Sequence, residues 1–174
     1  VNPSPVISGT MDSCFEKGQD VSNAGTKYST SGVMCAGLGT VADSLAAIEY
    51  LVFDRKLCSW DELRQGLESD WDGAESLRLM VQRKAPKWGN NNETVDRFAV
   101  DLADYTAEII NRTPNERGGH FQMGCWSIDH SVKFGKETKA TPDGRTSGEP
   151  ISKNLGASLA RDTNGVTSLI NSVT

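Results

Sequence analysis

The chain has 174 residues, of which 37% are apolar, and a formal charge of −5 from 18 Lys and Arg against 23 Asp and Glu. That length is enough for one domain with a real core, and the ordinary charged share (24%) argues against disorder. The acidic balance, without a basic stripe, argues against nucleic acid as a partner, and no apolar run approaches the ~18 residues of a membrane span.

Residues 8–18 read as a short helix around Met11, Cys14 and Phe15, ended by Gly18. Residues 26–39 (TKYSTSGVMCAGLG) carry too many glycines for an amphipathic helix and read as a strand or tight segment of close backbone approach. A helix follows over TVADSLAAIEYLVFDRK, with Thr40 as N-cap, Asp43 near the positive end of its dipole, and Leu45, Ile48 and Val52 as its stripe. Ser59 and Glu62 form a capping box that opens a second helix edged by Leu63 and Leu67. A third helix, with Leu77, Met80 and Val81 inward, stops before Pro86. After the polar turn KWGNNN the longest helix runs over ETVDRFAVDLADYTAEIINR, with Val95, Phe98, Leu102, Thr106 and Ile109 on one face and Ala99 beside them.

Residues 120–135 switch to a strand-like alternation. Phe121, Met123, Cys125 and Ser127 fall on one face and Gln122, Trp126 and Ile128 on the other, so the strand is expected to be covered on both sides. The loop ATPDGRTSGEP follows, then a polar tail with one apolar stretch from Val166 to Ile170. Two buried strands separated by helices predict an α/β fold with a parallel or mixed sheet, in which function gathers on loops at strand ends.

Four widely spaced cysteines with no C-x-x-C pair predict reduced, mostly buried thiols in a cytoplasmic protein. His120, Cys125 and His130 match no zinc spacing, so no metal is expected. Neither a P-loop, G-x-G-x-x-G nor G-x-S-x-G occurs. Cys125 with a histidine could in principle form a nucleophile pair, but a core cysteine with two surface histidines is the plainer reading. Asp12, Glu16 and Asp20 read as a solvated acidic helix face. Trp60, Trp71 and Trp88 read as packing anchors between helices, and core packing also accounts for Trp126. In the loop, Pro142 suits the second position of a turn, with Asp143-Gly144 after it. Arg145 then has a preset position. Its fork could hold a ligand carboxylate, or bridge to a neighbouring carboxylate or carbonyl.

Taken together, NPSPVISGTMDSCFEKGQDVSNAGTKY, GTVADSLAAIEYLVFDRK, APKWGNNNETVD, ATPDGRTSGEPIS and NGVTSLINSV resemble, in order and over nearly the whole chain, the glycyl radical enzymes of the pyruvate formate-lyase family. The resemblance implies that residues 1–174 are part of a ten-stranded α/β barrel, from its C-terminal half. It implies thiyl-radical lyase or dehydratase (eliminase) chemistry on a small polar metabolite. A glycyl radical would be installed by an iron–sulfur, S-adenosylmethionine activating enzyme, in a homodimer that binds no metal itself. The family's radical glycine sits in an R-V-x-G-Y type motif and its cysteine in a G-C-x-E type loop. Neither motif occurs here, and the Gly-Cys at 124–125 lies in the wrong order, so Cys125 is given no radical role. With no Met before Val1 and no tail after Thr174, the chain reads as an excised piece, inactive alone and prone to self-association. What the resemblance carries over is support: Thr141, Asp143 and Arg145 in the loop, with Gln122 and Trp126 lining a substrate cavity. The alternative is a stand-alone, non-catalytic binding module derived from the barrel.

Overall fold

The computed structural model describes residues 2–127 and 130–174, so Ile128 of the predicted strand lies outside the described residues. The chain divides into two compact units, Val1–Val33 with Tyr105–Gly124, and Met34–Asp104 with Cys125–Thr174.

The first unit begins with two short helices, α1 (Pro5–Ser8) and α2 (Asp12–Lys17). Pro5 stands at the start of α1, where a missing N–H costs nothing. Gly18 ends α2 in the left-handed region (φ 61°), as expected for a C-terminal glycine. Asp20 is not on that helix, contrary to the acidic-face reading. It caps a 3-10 turn at Val21–Asn23, accepting from the Ser22 N–H (2.9 Å), the Ser22 hydroxyl (2.6 Å), the Ser8 hydroxyl (2.7 Å) and the Ser4 N–H (2.9 Å). The Ser22 bonds first, and those of Ser8 and Ser4 with them, lower its carboxyl to about 2.

The sheet has two strands, β1 (Ser31–Met34) and β2 (Phe121–Gly124). The turn before β2 is organised by buried Asn115. Its amide donates to the carbonyl of Ser29 (2.5 Å) and the hydroxyl of Ser31 (3.1 Å), while its oxygen accepts from the N–H groups of Arg117 and Gly119. Gly119 is required by close approach, because a Cβ there would lie 2.1 Å from the Ser29 carbonyl oxygen.

In the second unit, α3 (Leu38–Ile48) continues into a π-helical turn at Glu49–Asp54. Its N-cap is Gly37 at φ 85°, not Thr40. Thr40 lies inside the helix, where its N–H donates to the Ser152 hydroxyl (3.0 Å) and its own hydroxyl accepts from the Ser152 N–H (2.8 Å). The buried face differs from the predicted stripe as well. Ala42, Asp43, Ala46 and Ala47 are inside, whereas Leu45 is 36% exposed, because small side chains let neighbouring segments approach the helix closely.

The capping box of α4 (Trp60–Glu68) forms as predicted: the Glu62 N–H donates to the Ser59 hydroxyl, and the Glu62 carboxylate accepts from the Ser59 N–H at 2.7 Å. Trp60 is more than half exposed, unlike the packing anchor expected, while Trp71 and Trp88 are buried. Next, α5 (Glu75–Lys84) buries Val81, leaves Met80 on the surface, and stops before Pro86. α6 (Glu93–Arg112) keeps the predicted limits. One core gathers Leu38, Ala42, Ala46, Trp88, Val95 and Ala99, with Phe98 and Cys125 against it. A second gathers Ala47, Leu51, Leu63, Trp71 and Val81. Ile109 is exposed.

The predicted strand over 120–135 is short. β2 ends at Gly124, and α7 (His130–Glu137) is helical. Within α7, Ser131 and Gly135 are buried, and a Cβ on Gly135 would lie 2.2 Å from the Glu149 carbonyl oxygen. The apolar stretch of the tail is α8 (Val166–Val173), tied at the Ser172 hydroxyl, which accepts from the Asn91 N–H. Only Cys14 of the four cysteines is buried, and all four are free thiols. No helix among the described residues is long and apolar enough to cross a membrane. Phe15 and Leu159 are each more than four-fifths exposed.

Candidate functional site

The Thr141–Arg145 stretch forms a closed turn. The Gly144 N–H donates to the Thr141 carbonyl (3.0 Å), and the Thr141 N–H donates to the Arg145 carbonyl (3.1 Å). Gly144 adopts φ 92°, which only glycine takes without strain. The Thr141 hydroxyl donates to Asp143 Oδ1 at 2.5 Å.

Arg145, only 6% exposed, turns back into its own loop. Nε donates to the Thr141 hydroxyl (3.1 Å). Nη1 donates to the carbonyls of Thr146 (3.1 Å) and Glu149 (2.7 Å), and Nη2 to those of Thr138 (3.2 Å) and Lys139. A guanidinium has five N–H donors, and these bonds engage all of them. Of the two readings of Arg145, the geometry matches the bridge to neighbouring carbonyls. As it stands the guanidinium has no donor left for a ligand carboxylate.

Side chains from outside hold the loop, among them Asp70, whose carboxylate accepts from the Ser147 N–H at 2.7 Å. The Trp71 indole N–H donates to the Arg145 carbonyl (3.2 Å), and the Gln82 amide donates to the Gly144 carbonyl (2.7 Å). A pocket of about 110 Å³, lined by Asp143, Arg145, Glu149, Ser158 and Arg161 among others, adjoins it. At ~30 Å³ per water, that is room for a few waters.

Beneath the loop lies a buried charged group that sequence reasoning missed. Asp43, fully buried, accepts from the Trp88 N–H (2.6 Å) and from the Ser158 hydroxyl (3.1 Å). Burial pushes its carboxyl up to about 7, helped by the nearby Asp143 and opposed by the Trp88 bond and Lys87. Burial likewise raises Asp143, against the Thr141 bond, Lys87 and Arg145. Lys87 is lowered by burial and by Arg161, while both carboxylates hold it up. Its ammonium donates to the carbonyls of Val81 (3.0 Å) and Ala85 (3.3 Å). The three groups come from α3, the segment after α5, and the loop. The sequence signal was Asp43 inside an otherwise apolar, small-residue helix stretch.

The structure therefore brings Thr141, Asp143 and Arg145 together. Trp126 belongs to the same unit and is 44% exposed, and no hydrogen bond among the described residues joins it to the loop. Gln122 is exposed on β2 in the other unit. Cys125 packs against the first core, and His120 and His130 are on the surface. Among the described residues no group of three or more His, Cys, Asp or Glu could hold a metal ion.

The structure matches a glycyl radical enzyme from Archaeoglobus fulgidus at TM-score 0.92 and 36% identity, over 98% of this chain and 22% of that one. It matches the glycerol-bound B12-independent glycerol dehydratase from Clostridium butyricum at TM-score 0.93 and 36% identity, again over 98% of this chain and 22% of that one. The chain belongs to the pyruvate formate lyase-like family, whose model matches residues 1–135. It is also 34% identical to the trans-4-hydroxy-L-proline dehydratase of Clostridioides difficile, over 98% of this chain and 22% of that protein. The chain thus spans about a fifth of the length of the relatives it matches.

Proposed function

We propose that residues 1–174 are a segment of a glycyl radical dehydratase or lyase, which eliminates a leaving group from a small polar metabolite. In that reading the segment is part of the C-terminal half of a ten-stranded barrel, as a partial domain without the radical cysteine loop or the glycyl radical domain. The whole protein would be a cytoplasmic homodimer activated by an iron–sulfur, S-adenosylmethionine enzyme. The glycyl radical would take the hydrogen atom of a cysteine thiol, leaving the thiyl radical that attacks substrate, and no residue of this chain is assigned to carry either radical. The observation that carries the reading is the likeness to dehydratases at 34–36% identity along 98% of the chain.

Within it, Thr141, Asp143 and Arg145 shape the interior, and Gln122 and Trp126 face substrate. What supports this division is the self-satisfied guanidinium on one side and the exposed Gln122 and Trp126 on the other. The test is to express the full-length protein with an activating enzyme without oxygen. Glycerol, trans-4-hydroxyproline and sulfopropanediol would then be offered while the organic radical is followed by electron paramagnetic resonance. A radical signal with elimination of one of these or a related small polyol is expected. A protein that gains no radical and turns over none of them would overturn the proposal.

A further inference from the structure

Each of the two strands is followed directly by a cysteine. β1 and β2 are hydrogen-bonded neighbours, and the Ser31 N–H donates to the His120 carbonyl at 3.1 Å, so the strands start side by side. Each runs for four residues. The next residue is Cys35 after β1 and Cys125 after β2. Neighbouring strands lie ~4.8 Å apart. A disulfide spans Cα separations of ~4.4–6.8 Å. The pair therefore stands where a cross-strand bond needs little backbone movement.

Both thiols are free and half-buried, so neither is sealed in a core. Their proximity also shows electrostatically: burial pushes the Cys125 thiol up, and the Cys35 thiol adds to it. With no third ligand to complete a metal site among the described residues, two adjacent thiols have redox chemistry as their natural use.

We propose that Cys35 and Cys125 form a reversible disulfide when the chain meets a small-molecule disulfide such as oxidised glutathione. One thiol, as thiolate, attacks a glutathione sulfur; a mixed disulfide forms and one glutathione leaves. The second thiolate attacks the protein sulfur of that mixed disulfide, forming the Cys35–Cys125 bond and releasing the second glutathione. The two thiol protons end on the released glutathiones, and the two electrons lost by the protein reduce the oxidant. The bond pins the ends of β1 and β2 together across the intervening chain. Cys14 and Cys58 stay reduced.

The full chain, reduced and then exposed to oxidised glutathione without oxygen, tests this. Cleavage after Lys and Arg puts the cysteines in four separate peptides: 1–17, 28–55, 57–64 and 118–133. Peptide 28–55 linked to 118–133, with 1–17 and 57–64 still alkylatable and the link reversed by dithiothreitol, is the expected result. Cys35→Ser should leave Cys125 as a glutathione adduct, and Cys125→Ser should do the same for Cys35. A monosubstituted arsenical, which bridges paired thiols, should bind the reduced wild-type chain once and neither variant. Glutathione adducts on both wild-type cysteines without the cross-link, or oxidation confined to Cys14 and Cys58, overturns the proposal without relying on a variant that folds.

Discussion

Replacing Arg145 by Met should be one of the most damaging single changes in the second unit, although it touches no ligand. The side chain is 6% exposed and donates to four carbonyls and one hydroxyl, all within seven residues of itself. A hydrogen bond from a charged group contributes ~1.5–3 kcal/mol when its loss leaves the acceptor dry. The acceptors here are only partly buried, so water can reclaim some of them. Asp143 also loses the attraction of the guanidinium, the smallest of the influences on its carboxyl, while Lys87 stays beside it. A loss of about 3–5 kcal/mol is therefore expected for Arg145→Met. Arg145→Lys, with three donors on one nitrogen, should lose about half of that. Urea unfolding followed by tryptophan fluorescence measures both, and Trp71, bonded to the Arg145 carbonyl, is a local reporter. The midpoint should fall with the slope unchanged. An Arg145→Met chain within ~0.5 kcal/mol of wild type would refute the reasoning, because that is the range of an ordinary surface substitution.

Gly144→Ala should cost ~1–3 kcal/mol in the same assay, since it forces alanine to φ 92° and puts its Cβ 2.6 Å from Gln82 Cγ. Asp43 makes stability depend on pH in a defined direction. Its folded value, about 7, lies above the ordinary 3.8, so the folded chain holds the extra proton between them. That contribution is complete below pH ~4 and is lost as pH rises toward 7, up to ~4 kcal/mol at 1.36 kcal/mol per unit. Asp43→Asn should flatten this part of the profile, and an unchanged slope between pH 4 and 7 would count against it. In the activated full-length protein, Gln122→Ala and Trp126→Ala should change kcat/KM at least ~10-fold without moving the unfolding midpoint, the pattern of a lost substrate contact; equal kinetics in both variants would remove them from the cavity wall.

Features that depend on neighbours in sequence were legible. The Ser59–Glu62 box, the limits of α6 and the stop before Pro86 need only a few adjacent residues. So did the loop: every partner of the Arg145 guanidinium lies between Thr138 and Glu149, within reach of a local reading. What was missed depends on residues far away. Thr40 has the chemistry of an N-cap, but Ser152 takes its hydroxyl and Gly37 takes the cap. The alternation over 120–135 suggested a longer strand, yet β2 ends at Gly124 and His130–Glu137 is helical, with Gly135 packed closely against Glu149. The Asp43, Lys87 and Asp143 group draws on three separate segments, and no periodicity in any one of them announces the other two.

The bonds between Thr40 and Ser152, and between Asp43 and Ser158, join positions more than a hundred residues apart. Chain synthesis is vectorial, at ~5–20 residues per second. The polar groups on α3 must therefore wait several seconds at the ribosome before their partners exist. The Ala-rich helix is made early and completed late, so the nascent chain passes through a stage in which its most densely packed face is still open.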